Sequence, residues 1–262
     1  MTTQQDKAVL TRLENRVGYI TLNRPSTLNA IDTSVAEGLL SACRELAGET
    51  NARVLVIGGE GKAFSVGGDL HMLRQSPLSA ADSLIGPLHA VVNLISELSL
   101  PVIASVHGVA AGAGFSLVLA CDLAIAADDA RFNLAYLNVG TSCDVGASWH
   151  LPRLVGLRQS MGIALLNETI SAQEALRLGL VNRIVPASDL AAETNRVAEG
   201  LAAKSPLAVA QLKRLLRTSI AKPLNEQLLA EEAAFKACAV TQDFGEAVSA
   251  FLEKRAPVFA GN

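Results

Sequence analysis

The sequence predicts an α/β fold continued by an all-helical C-terminal region, and three observations carry that prediction. Over the first two thirds of the chain, short β-branched apolar runs alternate with segments of helical periodicity. Glycine-rich turns close the strands, at Gly58-Gly59-Glu60-Gly61 and between Gly108 and Gly114. From Asp189 onward only helical periodicity remains. The chain has 262 residues, 50% hydrophobic and 18% charged, with 22 Lys and Arg against 25 Asp and Glu for a formal charge of -3. That length buries a sizeable core without disulfides or metals. The balance excludes a disordered solvating chain and a basic nucleic-acid binder, so a small-molecule partner is expected.

Two β-type runs at residues 8–13 and 18–23, parted by Asn15-Arg16-Val17, predict a hairpin that Arg24-Pro25 stops. A helix is expected over 33–46, where Ser34 and Glu37 have capping-box spacing, and a strand over 53–57. A helix over 81–98 leads to Pro101. Residues 102–121 are almost uncharged and about long enough for a membrane span of roughly 30 Å. His107 and the three glycines in that segment instead predict a strand (102–106), a turn and a buried helix (115–120), so no membrane span is expected. A strand at 123–127 follows. Ser171-Ala172-Gln173-Glu174 opens a short helix that Gly179 ends, before a strand over 180–185. In the helical tail, Ser205-Pro206 forms an N-cap and N1 pair and Lys222-Pro223 a break. The organisation predicted is a core over 1–188 and a helical oligomerisation region over 189–262. Cys43, Cys121, Cys143 and Cys238 form no CxxC pair and no apolar leader precedes them, so the reducing cytoplasm is the expected location.

Several motifs start and fail. A dinucleotide fingerprint from Gly112-Ala113-Gly114 needs a glycine where Leu117 stands, and a nucleophile elbow from Gly114-Phe115-Ser116 needs one at Val118. His71, His89, His107 and His150 show no metal-ligand spacing, so no metal is expected. Two strand-to-turn junctions remain, 62–69 and 106–114, each placing small residues where a strand ends. Small residues let a ligand approach the backbone, and amides opening a helix are unpaired donors. Two such amides converging on one oxygen would make an oxyanion hole; two tight turns without a ligand is the alternative.

Those junctions, with the motifs around them, resemble the enoyl-CoA hydratase/isomerase (crotonase) family along the whole chain. The resemblance runs through Leu22-Asn23-Arg24-Pro25 with Leu28-Asn29-Ala30, then Ala63-Phe64-Ser65-Val66-Gly67-Gly68-Asp69-Leu70, and Leu100 before Pro101-Val102-Ile103-Ala104. It continues in Ala120-Cys121-Asp122-Leu123, Leu151-Pro152-Arg153-Leu154-Val155-Gly156 and the tail Phe251-Leu252-Glu253-Lys254-Arg255-Ala256-Pro257. It implies a crotonase-like spiral of ββα units with a C-terminal helical trimerisation region, assembled as a homotrimer or a dimer of trimers. The ligand implied is an acyl-CoA thioester of fatty-acid metabolism. No separate cofactor is implied, because coenzyme A is part of the substrate. The oxyanion donors would be the amides of Gly68 and Ala113. Ala63, Ser65, Asp69 and Leu70 would line the CoA path and Arg24 and Leu28 its rim, with Phe251 and Lys254 reaching CoA from the tail. The far end of the acyl pocket would come from residues 71–82 and the C-terminal helices.

The chain departs from the hydratase pattern at two positions, where Ser116 and Tyr136 stand in place of glutamates. Asp144, within Gly140-Thr141-Ser142-Cys143-Asp144-Val145-Gly146, resembles an acidic residue of the dienoyl-CoA isomerase branch. A lone carboxylate can take a proton from one carbon and return it to another while an oxyanion hole holds the dienolate. Its alternative role is to cap a helix beginning near Val145. Tyr136 is either a donor beside the acyl chain or core packing. An aspartate-nucleophile dehalogenase or hydrolase, with His89 as partner, and a non-catalytic acyl-CoA binding protein are the competing readings.

Overall fold

Asn15 and Arg16, with φ of 50° and 66°, form the tight turn between β1 (Val9–Glu14) and β2 (Val17–Leu22), an antiparallel hairpin in which Glu14 faces Val17. The computed structural model describes residues 7–261; residues 1–6 and 262, the outer ends of the two predicted regions, lie outside the described residues. Parallel strands β3 (Val54–Gly59), β4 (Val102–Val106), β6 (Leu123–Ala127) and β9 (Arg183–Val185) extend the hairpin into one sheet of order β1-β2-β3-β4-β6-β9. Alternate residues of these strands serve two cores. Leu55, Ile57, Ala104 and Ala126 point to the cluster that includes Leu39 and Cys43 of α1 (Thr33–Gly48) and Leu88 and Val91 of α3 (Pro77–Glu97). Val54, Val56, Ile103 and Ile125 point the other way, to Leu190, Ala198 and Ala202 of α7 (Leu190–Ala202). Burial on both faces explains why these strands read as unbroken apolar runs.

A second sheet has order β5-β7-β8, from β5 (Val109–Ala111), β7 (Arg131–Asn133) and β8 (Ile170–Ser171), with Ser65 bridged to Ala110 beside it. Each turn of the chain thus lays one strand in the large sheet, one in the small sheet and then a helix. The series runs β3, Ser65, α3; then β4, β5, α4 (Ala113–Ala120); then β6, β7, α5 (Ala147–Leu166). This is the ββα spiral expected from the sequence. Segment 102–121 is β4, β5 and α4, mostly buried, with Val109 exposed at the turn.

Several predicted details change. Asp32, not Ser34, caps α1: its Oδ1 accepts the Val35 amide at 3.0 Å, and Ser34 Oγ donates to the same carboxylate at 2.6 Å. A short α2 (Leu70–Gln75) precedes α3, which begins at Pro77 rather than 81. The expected strand over 180–185 shortens to β9, while Ser171 does cap α6 (Ala172–Leu178), accepting the Glu174 amide at 3.2 Å. Helix α7 covers the second face of the large sheet, and the thinner layer consists of α8 (Pro206–Ser219), α9 (Leu224–Ala239) and α10 (Gln242–Glu253). Helix α8 is anchored through Asp122, which lies 2.7 Å from both Lys213 Nζ and Arg217 Nη2.

Candidate active site

Buried Asn29 locks the first junction in place. Its Nδ2 donates to Glu60 O at 2.9 Å and Ala63 O at 2.8 Å, and its carbonyl accepts Ser65 Oγ at 2.8 Å. Downstream, Ile31 N donates to Gly67 O at 2.8 Å and Asp69 N to Ile31 O at 2.9 Å. This bridge uses the groups on either side of Gly68 and turns the Gly68 amide away from Ile31. Gly67 has φ +89°, and a Cβ there would stand 2.9 Å from Ala111 O and 3.2 Å from Ala113 N, so only glycine lets the two junctions meet. Ala113 is the first residue of α4, where an amide has no acceptor within the helix. Among the described residues neither the Gly68 nor the Ala113 amide has a hydrogen-bond partner. All eight residues of α4 are buried, so little solvent screens the field at its N-terminus.

One turn into α4 the chain reaches Ser116, and here the structure brings three predicted residues together. Ser116 Oγ lies 2.9 Å from Tyr136 Oη, and the Tyr136 hydroxyl donates to Asp144 Oδ1. Since that donation uses the single phenolic proton, the contact between the two hydroxyls is made by the Ser116 proton, which is shared with the Gly112 carbonyl at 3.2 Å. Burial first, and then the adjacent Asp144 charge, push the Tyr136 phenol far above its ordinary range, so it stays protonated and remains a donor. Left-handed backbone flanks two members of this chain: Ala135, just before Tyr136, has φ 58°, and fully buried Val145, just after Asp144, has φ 51°. A β-branched residue in that region stores on the order of 1–3 kcal/mol of strain, held here by its packed side chain. Asp144 does not cap a helix with its side chain. Helix α5 begins later, with Gly146 at its N-cap, and the Ala147 amide bonds the Asp144 carbonyl at 3.1 Å.

Asp144 faces a cleft of about 690 Å³ lined by Ile85, His89, Val92, Asn93 and Ser96 of α3, by Thr141 to Asp144, and by Gly146, Ser148, Trp149 and His150. His89 therefore shares a cavity with Asp144. None of residues 71–82 lines it; the wall comes from the later part of α3, between Ile85 and Ser96. The α3 positions recur at helical spacing, a signal present in the sequence but uninformative until the facing loop is known. The motif reading missed Ile85, Val92, Asn93, Ser96, Ser148 and Trp149, and considered His150 only as a metal ligand.

At the rim, Arg24 Nη1 donates to Ala30 O at 2.7 Å and lies 3.1 Å from Asp32 and 3.5 Å from Asp69. Asp69 also accepts the His71 amide at 3.0 Å, so Arg24 and Asp69 hold the local fold as well as each other. Leu28 and Leu70 are exposed, whereas Ala63 and Ser65 are buried and offer a ligand only backbone. Phe251 and Lys254 lie exposed at the end of α10, with Lys254 at its C-cap; that helix packs on α9, and no contact brings these two side chains to the cleft among the described residues.

Two free amides, one of them a turn of helix before a hydrogen-bonded chain that ends on a carboxylate, on a spiral of ββα turns, have the parts of an enzyme that holds charge on a carbonyl oxygen while moving a proton. The family model for enoyl-CoA hydratase/isomerase matches residues 12–262, and the chain belongs to that family. It is 33% identical over 257 residues to the 1,2-epoxyphenylacetyl-CoA isomerase of Escherichia coli, covering 97% of this chain and 98% of the relative. It is 35% identical over 249 residues to the 2,3-dehydroadipyl-CoA hydratase of Escherichia coli, covering 95% and 96%. The crystal structure of an enoyl-CoA hydratase from Bacillus anthracis superposes with a TM-score of 0.93 at 31% identity, covering 97% of this chain and 100% of that one.

Proposed function

We propose that the protein isomerises a double bond in an acyl-CoA thioester through a single carboxylate. The observation that carries this reading is the Ser116–Tyr136–Asp144 chain: Asp144 is the one carboxylate lining the cleft among the described residues, and both positions where the family pattern places glutamates support it instead. The thioester carbonyl oxygen accepts from the Gly68 and Ala113 amides. Asp144 takes a proton from the carbon next to that carbonyl, and the negative charge moves onto the oxygen of the resulting dienolate. The carboxylic acid then returns the proton to the far carbon, which shifts the double bond and regenerates the carboxylate. Preformed donors stabilise the charge where it develops, without reorganisation. Among the relatives two carry isomerase names, one of them a trans-2-decenoyl-acyl-carrier-protein isomerase, and these support this arm of the family.

The CoA portion lies along the 63–70 loop, against the exposed faces of Leu28 and Leu70, the backbone of Ala63 and Ser65, and the paired Arg24 and Asp69. Phe251 and Lys254 remain the contribution of the tail. A homotrimer or dimer of trimers is supported by two exposed apolar rows, Leu212 and Leu216 on α8 with Ile220 at its C-cap, and Leu157, Met161 and Leu165 on α5, whose spacing puts each row on one helix face.

The test is mass spectrometry of 2-enoyl-CoA and 3-enoyl-CoA thioesters incubated in heavy water, with Asp144→Asn alongside. Deuterium incorporation and a shifted double bond, both lost in the variant, are expected. Addition of a water mass, or isomerisation that survives in Asp144→Asn, overturns the single-carboxylate reading.

A further inference from the structure

Beyond the reacting carbons, the most buried of the polar side chains that line the cleft is His150. His150 is 6% exposed and lines the cleft, and its imidazole makes no hydrogen bond with any described residue. Its ring nitrogens are not sealed from solvent, so a ligand that displaces water from them must offer a hydrogen bond in its place. The ring is held in a fixed orientation: it packs edge-on against Trp149 at 4.7 Å between centroids, and the Arg153 guanidinium lies over Trp149 at 3.9 Å. Its Cδ2 and Nε2 edge faces Gly146 and Val92. A Cβ on Gly146 would stand 3.2 Å from Cδ2, 3.5 Å from Nε2 and 3.2 Å from Val92 Cγ1. Glycine at 146, with φ +75°, therefore keeps this edge open toward the cleft.

We infer that His150 recognises a neutral oxygen, a hydroxyl or carbonyl, on the distal part of the substrate's acyl group; this rests on the reading that the cleft holds the acyl chain. Two further observations favour a neutral oxygen over a plain alkyl end or a carboxylate. His89, Asn93, Ser96 and Ser148 line the same cleft, and an alkyl chain would strip these groups of water while offering nothing in return. Burial, with the nearby charges of Arg217 and Arg153, holds the His150 imidazole down to about 4, so at neutral pH it presents an uncharged donor and acceptor rather than a cation for an acid. A hydroxyl satisfies either tautomer.

Direct binding tests this without requiring turnover. Dissociation constants are measured by calorimetry for a ladder of saturated ω-hydroxyacyl-CoA thioesters and their unsubstituted partners of equal length. At the length that reaches His150 the hydroxylated thioester should bind about tenfold tighter. His150→Phe should erase that preference and leave the alkyl partner's affinity intact, while His150→Gln should keep part of it. Asp144→Asn should retain the preference, which separates this inference from the catalytic reading. Equal affinities at every length, or a preference that persists in His150→Phe, overturns the inference even where isomerase activity is found. Failure of the wild-type protein to bind any thioester overturns both.

Discussion

The Tyr136 hydroxyl donates to the Asp144 carboxylate while accepting from Ser116 Oγ at 2.9 Å. Two positions that lack the expected glutamates are thereby joined to the carboxylate that remains. A phenol kept protonated by burial is a one-directional donor, so it fixes Asp144 Oδ1 and leaves the other oxygen to act on substrate.

Tyr136→Phe removes this donor at almost constant volume. Turnover in the heavy-water assay should fall by about 10–100-fold, with thioester affinity changed by less than about threefold. Ser116→Ala, one bond further from the carboxylate, should have the smaller effect. Steady-state kinetics on both variants, with calorimetric binding, checks the order.

Gly67→Ala tests the meeting of the two junctions. The added methyl would stand 2.9 Å from Ala111 O, at a φ of +89° that alanine tolerates poorly. Stability should drop by about 1–3 kcal/mol, and activity should fall further than stability because the Gly68 and Ala113 amides are pushed apart. Urea denaturation and turnover, measured on the same preparation, separate the two.

Asp122 accepts the Val102 amide at 2.8 Å and pairs with Lys213, whose side chain is 7% exposed, and with Arg217. Asp122→Ala would leave Lys213 buried without its counter-charge, held only by the carbonyls of Ile95 and Leu100. The expected loss is about 3–5 kcal/mol in denaturant unfolding, with α8 released from the core.

His150 gives stability a pH dependence. Its folded value of about 4 lies below the roughly 6.5 of an unfolded histidine, so between the two the unfolded chain binds a proton that the folded chain does not. Its contribution is fully present above about pH 6.5 and is lost as pH falls toward about 4, on the order of 3 kcal/mol in all. His150→Phe should flatten that part of the stability curve, read as the difference between wild-type and variant thermal midpoints across the window.

Much of this architecture is legible in local chemistry. The β-branched runs and the Ser171 cap describe their own elements, because each depends on neighbours a few residues away. Assigning the α1 cap fails by two residues, since Asp32 and Ser34 both have capping side chains and only the backbone path selects between them. The short α2 is hidden for a similar reason: Asp69 caps it, yet its six residues contain no buried side chain to mark a face.

By itself the sequence determines the ββα order, the small residues that let two amides emerge at Gly68 and Ala113, and the absence of glutamate at 116 and 136. These follow from steric rules and from residue identity, both of which are local. Tertiary structure alone decides that Ser116, Tyr136 and Asp144 form one chain, that Ile85 to Ser96 of α3 wall the cleft, and that His150 lines it without a hydrogen-bond partner. Those relations join residues on separate turns of the spiral, and their distances are set by how helices and sheets pack, which no periodicity along the chain records.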